Sequence, residues 1–384
     1  MVKLVMMLLL VAWGLAAPVP AWAGAEEDFA KGYEAAGRGD LDEALRLYSR
    51  AIASKKKLEA HNLAIAYLNR GSIYADKGQY EKAIADYGAA LEQEPSLVDG
   101  YLARGRVYEE TGRSGKAIDD YGAAIRLTPE NVEAYDSRGR AYFGVGRLDK
   151  SLADFDAAIR LDPKIAVLYD HRGLVLYKKG RVDQAFADFN TALKLHPDYA
   201  EAFRHRGVIH HDRGEYDKSI ADYDEAIRLQ PDNAFAYDNR GRDKYLSGQF
   251  AGAAADFRQF LSSPVAGVYT LLWLHLAQAR AGQAADAALA QAAHGLDLSK
   301  WPGPIVRFYL GKLSAEQVRA EARTKDAKAQ IVHECDMSFY LGEAKVLQGA
   351  REEAKRLLGD ALARCPKGWA EHDGALADLR RLGS

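Results

Sequence analysis

The stretch "YDHRGLVLYKKGRVDQAFADF", Tyr169 to Phe189, reads as a helix, a turn and the start of a second helix. Apolar residues recur at helical spacing on both sides of Gly180, and glycine breaks the first run. Arg172 alone is out of pattern, standing where the spacing places a core residue. The whole stretch recurs every 34 residues, with units opening at Tyr67, Tyr101, Tyr135, Tyr169, Phe203 and Tyr237. Counting from the opening aromatic, each unit has Arg-Gly at +3 and +4, glycine at +11, alanine or serine at +16 and an aromatic at +20. Pro95, Pro129, Pro163, Pro197 and Pro231 close the first five units, and Pro264 stands near the end of the sixth.

Each unit is too short to bury its apolar faces alone, so neighbours must stack. The small residues at +4 and +16 let two antiparallel helices approach closely. The predicted fold is all-α, an α-solenoid of antiparallel helix pairs. In residue type, order and period these six copies resemble the tetratricopeptide repeat (TPR) family. The flanks repeat less regularly. Residues 24–66 form one degenerate unit, 67–270 the six regular units, and 271–300 another degenerate unit with Gly282 at its turn. Residues 301–384 form a helical region with a last hairpin at 335–366 and a terminal capping helix at 370–382. Within this region "WPGPIVRFYLGKLSAEQVRAEAR" breaks the period, and Ser314 with Gln317 predicts a capping box. The tail from Trp301 resembles the end of periplasmic TPR adaptors of the new-lipoprotein I type. That family is lipid-anchored, and this chain has no cysteine near the expected cleavage point.

The N-terminus reads as an export signal. Lys3 supplies the positive start, "LVMMLLLVAWGLAA" the apolar core, and "AWA" at 21–23 the small residues of a cleavage site, predicting a mature chain from Gly24. The alternative, an uncleaved membrane anchor, is opposed by Gly14, Pro18 and Pro20, which break a run already short for a span of about 20 residues. The expected location is periplasmic. Of the whole chain, 48% is hydrophobic and 28% charged, as in folded proteins, and a net charge of −2 gives no electrostatic footprint for nucleic acid. The run "KKK" at 55–57 is too short for a polybasic membrane patch.

The six regular units that carry arginine at +3 (Arg70, Arg104, Arg138, Arg172, Arg206, Arg240) also carry aspartate at +19 (Asp86, Asp120, Asp154, Asp188, Asp222, Asp256). The three flanking units have neither, with Lys31 and Leu47, Leu274 and Ala290, and Leu341 and Leu357 in those places. Joint presence and absence is the pattern of a contact pair, because a lone semi-buried charge is costly. Pairing each aspartate with the next unit's arginine would set Arg70 against Leu47 and Asp256 against Leu274. Pairing within a unit leaves no orphan and is the favoured reading. These arginines are then structural, and the binding face lies elsewhere.

Cys335 and Cys365 are the two cysteines. With one expected at the start of the last hairpin's first helix and the other at the end of its second, antiparallel packing brings them together. In an oxidising compartment they predict a disulfide. Metal ligation through "HEC" at 333–335 has no further ligand at suitable spacing. His171 and His205 stand 34 residues apart, and His210 and His211 follow on the latter's helix. An enzyme or metal-binding protein using the His171, His205 and His211 region is the alternative function. No catalytic constellation is evident, and no cofactor is expected.

The TPR resemblance implies protein binding on the concave face built from first helices, at +1, +2, +5 and +8. Those positions hold Asp136, Asp170, Arg204 and Asp238, then Asn69, His171, His205 and Asn239. Arg106, Arg140 and Arg242 follow, with Phe143, Tyr177, His211 and Tyr245 beyond. Aromatics beside charges suit an extended or helical segment of a partner. The asparagine-and-lysine clamp of chaperone-binding TPR domains is not matched, because +5 holds Ser72, Arg106, Arg140, Leu174, Val208 and Arg242. The expected function is a non-enzymatic scaffold for envelope proteins, of unspecified oligomeric state.

Overall fold

The computed structural model describes residues 23–54 and 58–383. The expected export segment and the lysines at 55–57 lie outside these residues. The described chain forms twenty-one α-helices and no strand. None of these helices is long and apolar enough to cross a membrane. The chain divides into two compact units, one ending at Ala185 and the other starting at Phe186.

The first unit holds α1 (Ala23–Gly37), α2 (Leu41–Ala53), α3 (Ala60–Asp76), α4 (Tyr80–Gln93), α5 (Val98–Glu110), α6 (Ser114–Leu127), α7 (Val132–Gly144), α8 (Leu148–Leu161) and α9 (Ala166–Lys178). The division falls in α10 (Val182–Leu195). Within this unit each regular repeat is one hairpin, α3 with α4, α5 with α6, and α7 with α8. The turns follow from the +11 glycine. Gly112 has φ 73°, its N–H reaches the Glu109 carbonyl, and the Arg113 N–H reaches back to the Tyr108 carbonyl. This is a Schellman motif, whose left-handed residue favours glycine. The hairpin is held shut by the +20 ring. A Cβ added at Gly105 would lie 2.6 Å from the Tyr121 ring, so the aromatic fills the space that the missing side chain leaves. Where +16 is serine, its hydroxyl donates to the +4 glycine carbonyl, as Ser151 does to Gly139 at 2.7 Å.

The second unit continues through α11 (Ala200–Asp212), α12 (Tyr216–Leu229), α13 (Ala234–Leu246), α14 (Phe250–Leu261), α15 (Val268–Arg280) and α16 (Ala285–Ala292). The irregular stretch then forms α17 (Gly303–Tyr309) and α18 (Ala315–Glu321), and α18 carries the capping box of Ser314 and Gln317. The last hairpin is α19 (Ala327–Leu347) with α20 (Arg351–Arg364), followed by α21 (Ala370–Arg381). One expectation is corrected here. Cys335 does not begin its helix, because α19 starts at Ala327 and overhangs its partner. Cys335 therefore meets Cys365, the residue capping α20, from within α19, and the two form a disulfide. Around it Tyr245, Phe257, Trp273, Phe339, Tyr340 and Leu358 make one apolar core.

Candidate partner-binding face

The arginines of the ladder work as bolts. Arg70, Arg104, Arg138, Arg206 and Arg240 donate Nε and Nη2 to the aspartate of the same repeat, Asp86, Asp120, Asp154, Asp222 and Asp256, at 2.6 to 2.9 Å. In these five repeats the pairing lies within the repeat, in bidentate geometry. The same guanidinium stacks over aromatic rings of its own helix, Tyr135 and Tyr142 in the case of Arg138, 5.8 and 5.9 Å from the centroids. The remaining nitrogen, Nη1, reaches the preceding repeat. It meets Ser49 from Arg70, Asp156 from Arg172, Asn190 from Arg206 and Asp224 from Arg240. The last three acceptors share position +21, which sequence reading missed although polar residues recur there. Gly88 and Gly122 hold that position in the first two regular repeats and conceal the pattern. Hydrogen bonds donated to the aspartates raise the arginine pKa values. These groups are engaged, which leaves the neighbouring face of the first helices to consider.

In the first unit that face is half exposed and polar. Asp136 on α7 accepts from Arg140 at 3.3 Å and meets His171 Nδ1 on α9 at 2.7 Å, so one carboxylate ties two repeats. His171 also packs against Phe155, 5.6 Å between centroids. Arg106 donates to Glu133 of the next repeat at 2.6 Å, and Asn69 to the Tyr48 hydroxyl at 3.2 Å. One turn on, the Lys178 ammonium sits 5.1 Å from the Phe143 ring centre, beside half-buried Tyr177. Asp170 is buried, with 2% of its surface exposed.

In the second unit the corresponding face is covered by the chain itself. Tyr245 is fully buried, donates to Glu343 at 2.8 Å and meets Trp273 edge to face, so it belongs to the core and not to a partner surface. Its position matches the aromatic period, but α15 and α19 close over it. His211 lies between Asp243 at 2.5 Å and Asp373 of α21 at 3.7 Å. Burial lowers the His211 pKa, but the hydrogen bonds to Asp243 and Asp373 outweigh it and raise the value to about 10. Arg381 of α21 donates to the Tyr245 and Leu246 carbonyls. Arg242 pairs with Asp238 on its own helix at 3.0 Å. His205 is buried against Phe189 with Arg204 alongside it, and Asn239 is half buried. His171, His205 and His211 thus each pack against carboxylates or rings. Among the described residues, the cluster with metal-ligand spacing is Cys335, Asp336 and Glu371, and its sulfur is in the disulfide.

Models of the tetratricopeptide repeat match residues 102–164 and 172–234, and a TPR repeat model matches residues 71–112. The lipoprotein NlpI homolog of Haemophilus influenzae is 30% identical over 129 residues, 33% of this chain. That match spans 41% of the relative's own length. A tetratricopeptide repeat protein from Parabacteroides merdae superposes with a TM-score of 0.55 at 23% identity, covering 66% of this chain and 99% of that one. Pseudomonas aeruginosa PilF superposes with a TM-score of 0.50 at 21% identity, covering 57% and 98%. At these identities the two structures establish the likeness of fold.

Proposed function

From the premise that this chain is built on tetratricopeptide repeats, we propose that it is a non-enzymatic adaptor of the bacterial cell envelope. It binds a segment of another protein on the first helices of its amino-terminal unit. The observation that carries this reading is the half-exposed surface of α7 and α9. There the Phe143 ring and Lys178 ammonium lie on the same helices as the linked polar side chains of Asp136, Arg140 and His171. An aromatic anchor rimmed by charge is the usual composition of a protein-binding hot spot. The corresponding surface of the second unit is taken by α21. The envelope location is supported by the charge and apolar run at the N-terminus, by the disulfide, and by the lipoprotein nature of the Haemophilus relative.

The test is a Phe143→Ala/Tyr177→Ala variant. It should keep its helical circular dichroism and melting temperature nearly unchanged. Copurification of envelope proteins should fall by most of its wild-type amount, since such anchors carry about 2 kcal/mol or more. Undiminished copurification would remove this face from consideration.

A further inference from the structure

The carboxyl-terminal unit contains a cleft of about 340 Å³ that the adaptor reading does not use. Its walls include Tyr269 and Trp273 of α15, Val332 and Asp336 of α19, and Trp369 and Glu371 at the start of α21. Its volume is at the small end of ligand pockets, which run from about 300 to 1,000 Å³. Two of its groups are buried carboxylates, Asp336 with 2% of its surface exposed and Glu371 with 8%. Their oxygens come within 4.8 Å of one another.

What distinguishes these two acids is their partners. Asp336 accepts from the Tyr269 hydroxyl at 2.6 Å and from Trp301 Nε1 at 2.8 Å. Glu371 accepts from the Tyr340 hydroxyl at 3.2 Å. All three donors are neutral, and among the described residues neither carboxylate forms a salt bridge. Several other buried acids of the unit do touch cations. Asp222 and Asp256 have ladder arginines, Glu343 and Asp378 have Arg280, and Asp243 has His211. A cation, Arg242, also lines the cleft, but its Nη2 goes to Asp238 at 3.0 Å and its Nε has no partner. Two buried like charges without a counter-ion are costly. Burial and the Glu371 charge accordingly hold the Asp336 carboxyl at about 7. Burial raises that of Glu371 as well, against its own backbone N–H and the Arg242 charge.

We propose that this cleft is a receptor for a primary alkylammonium group, with Asp336 and Glu371 as its counter-ions and Tyr269, Trp273 and Trp369 as its aromatic walls. An ammonium supplies the missing charge and three hydrogen-bond donors, and aromatic faces attract it further. A divalent cation fits less well. Two carboxylates beside an oxidised cysteine fall short of the six or more oxygens that calcium takes. The disulfide makes the cleft a built one. Cys335 precedes Asp336, and Cys365 opens the turn that carries Trp369 and Glu371, so the bond ties both acidic walls.

The test is calorimetric titration of the intact disulfide-bonded protein at about pH 8, above the value held by Asp336. The probes are lysine blocked at both backbone ends, its Nε-acetyl derivative, n-butylamine and acetate. The blocked lysine should saturate one site, and the Nε-acetyl form should not. Comparable binding of n-butylamine would extend the site to free alkylamines, and weaker binding would restrict it to lysine side chains of proteins. Both results support the ammonium assignment. Asp336→Asn/Glu371→Gln, which keeps the shape and removes the charge, should weaken the blocked lysine by about tenfold or more. Val332→Trp, which fills the cleft and spares both acids, should do the same. The wild type should also bind more weakly at about pH 5.5, as Asp336 becomes protonated. Equal binding of the Nε-acetyl form, saturable binding of acetate in place of the amines, or no saturation by any amine would overturn the proposal. None of these results bears on the Phe143 and Tyr177 face.

Discussion

Arg138 and Arg240 hold equivalent places in their repeats but should not respond equally to deletion. Removing Arg138 leaves buried Asp154 without a cation, and the expected cost of Arg138→Ala is about 2–4 kcal/mol. Removing Arg240 leaves Asp256 paired with Lys244 at 2.9 Å, so Arg240→Ala should cost less. Denaturant titration of the two variants compares them directly, and an equal loss would show that Lys244 does not compensate. The bolt can also be improved. A Cβ at Gly88 would lie 3.8 Å from Arg104 Nη1, in the place that Asp224 occupies for Arg240. Gly88→Asp should stabilise by about 0.5–1 kcal/mol, from the new ion pair and better helix propensity. That gain should shrink when Arg104 is replaced by alanine. His211 gives a pH signature. Its folded pKa of about 10 exceeds the ordinary histidine value, so its stabilisation is complete below about pH 6.5 and fades as pH rises through 10. His211→Gln should flatten the stability of the second unit over that window. The joint occurrence of arginine and aspartate was legible because both are charged and periodic. Tyr245 misled for the same reason, since a period states position on a helix and not what later folds over it.

At the scale of elements, the turns were the most legible feature. A glycine at +11 has one structural use, and a Schellman turn forms at it in repeat after repeat. The capping box at Ser314 was equally local and equally readable. The true start of α19 was missed because the residues before Cys335 have no repeat counterpart, although Asp326, whose carboxylate accepts from the Lys328 and Ala329 N–H groups, is a local N-cap signal. The overhang leaves the disulfide intact but moves it into the helix, where it holds α19 against the end of α20. Its loop closes 30 residues, and Cys335→Ser/Cys365→Ser should lower stability by about 3–4 kcal/mol on the chain-entropy account. Thiol titration of the unfolded, unreduced wild type should find no free thiol. The docking of α21 was likewise hidden. It depends on Arg381 reaching two backbone carbonyls and Asp373 reaching His211, and neither contact has a sequence pattern.

For the molecule as a whole, the two units can be followed separately. Beyond the expected cleavage site the tryptophans are Trp273, Trp301 and Trp369, all in the second unit. Tryptophan fluorescence therefore reports that unit alone, while circular dichroism reports both. Reducing the disulfide should shift the fluorescence melt to lower temperature and leave the helical signal of the first unit in place. A uniform shift of both signals would show that the units melt together. The bolts add a direction to this array. Arg70, Arg172, Arg206 and Arg240 all extend Nη1 to the repeat that precedes them. Ribosome and export channel alike deliver a chain amino end first, so each of these repeats finds its polar anchor already delivered when it emerges. Assembly can then proceed as a ratchet, each hairpin locking onto the last without waiting for the next.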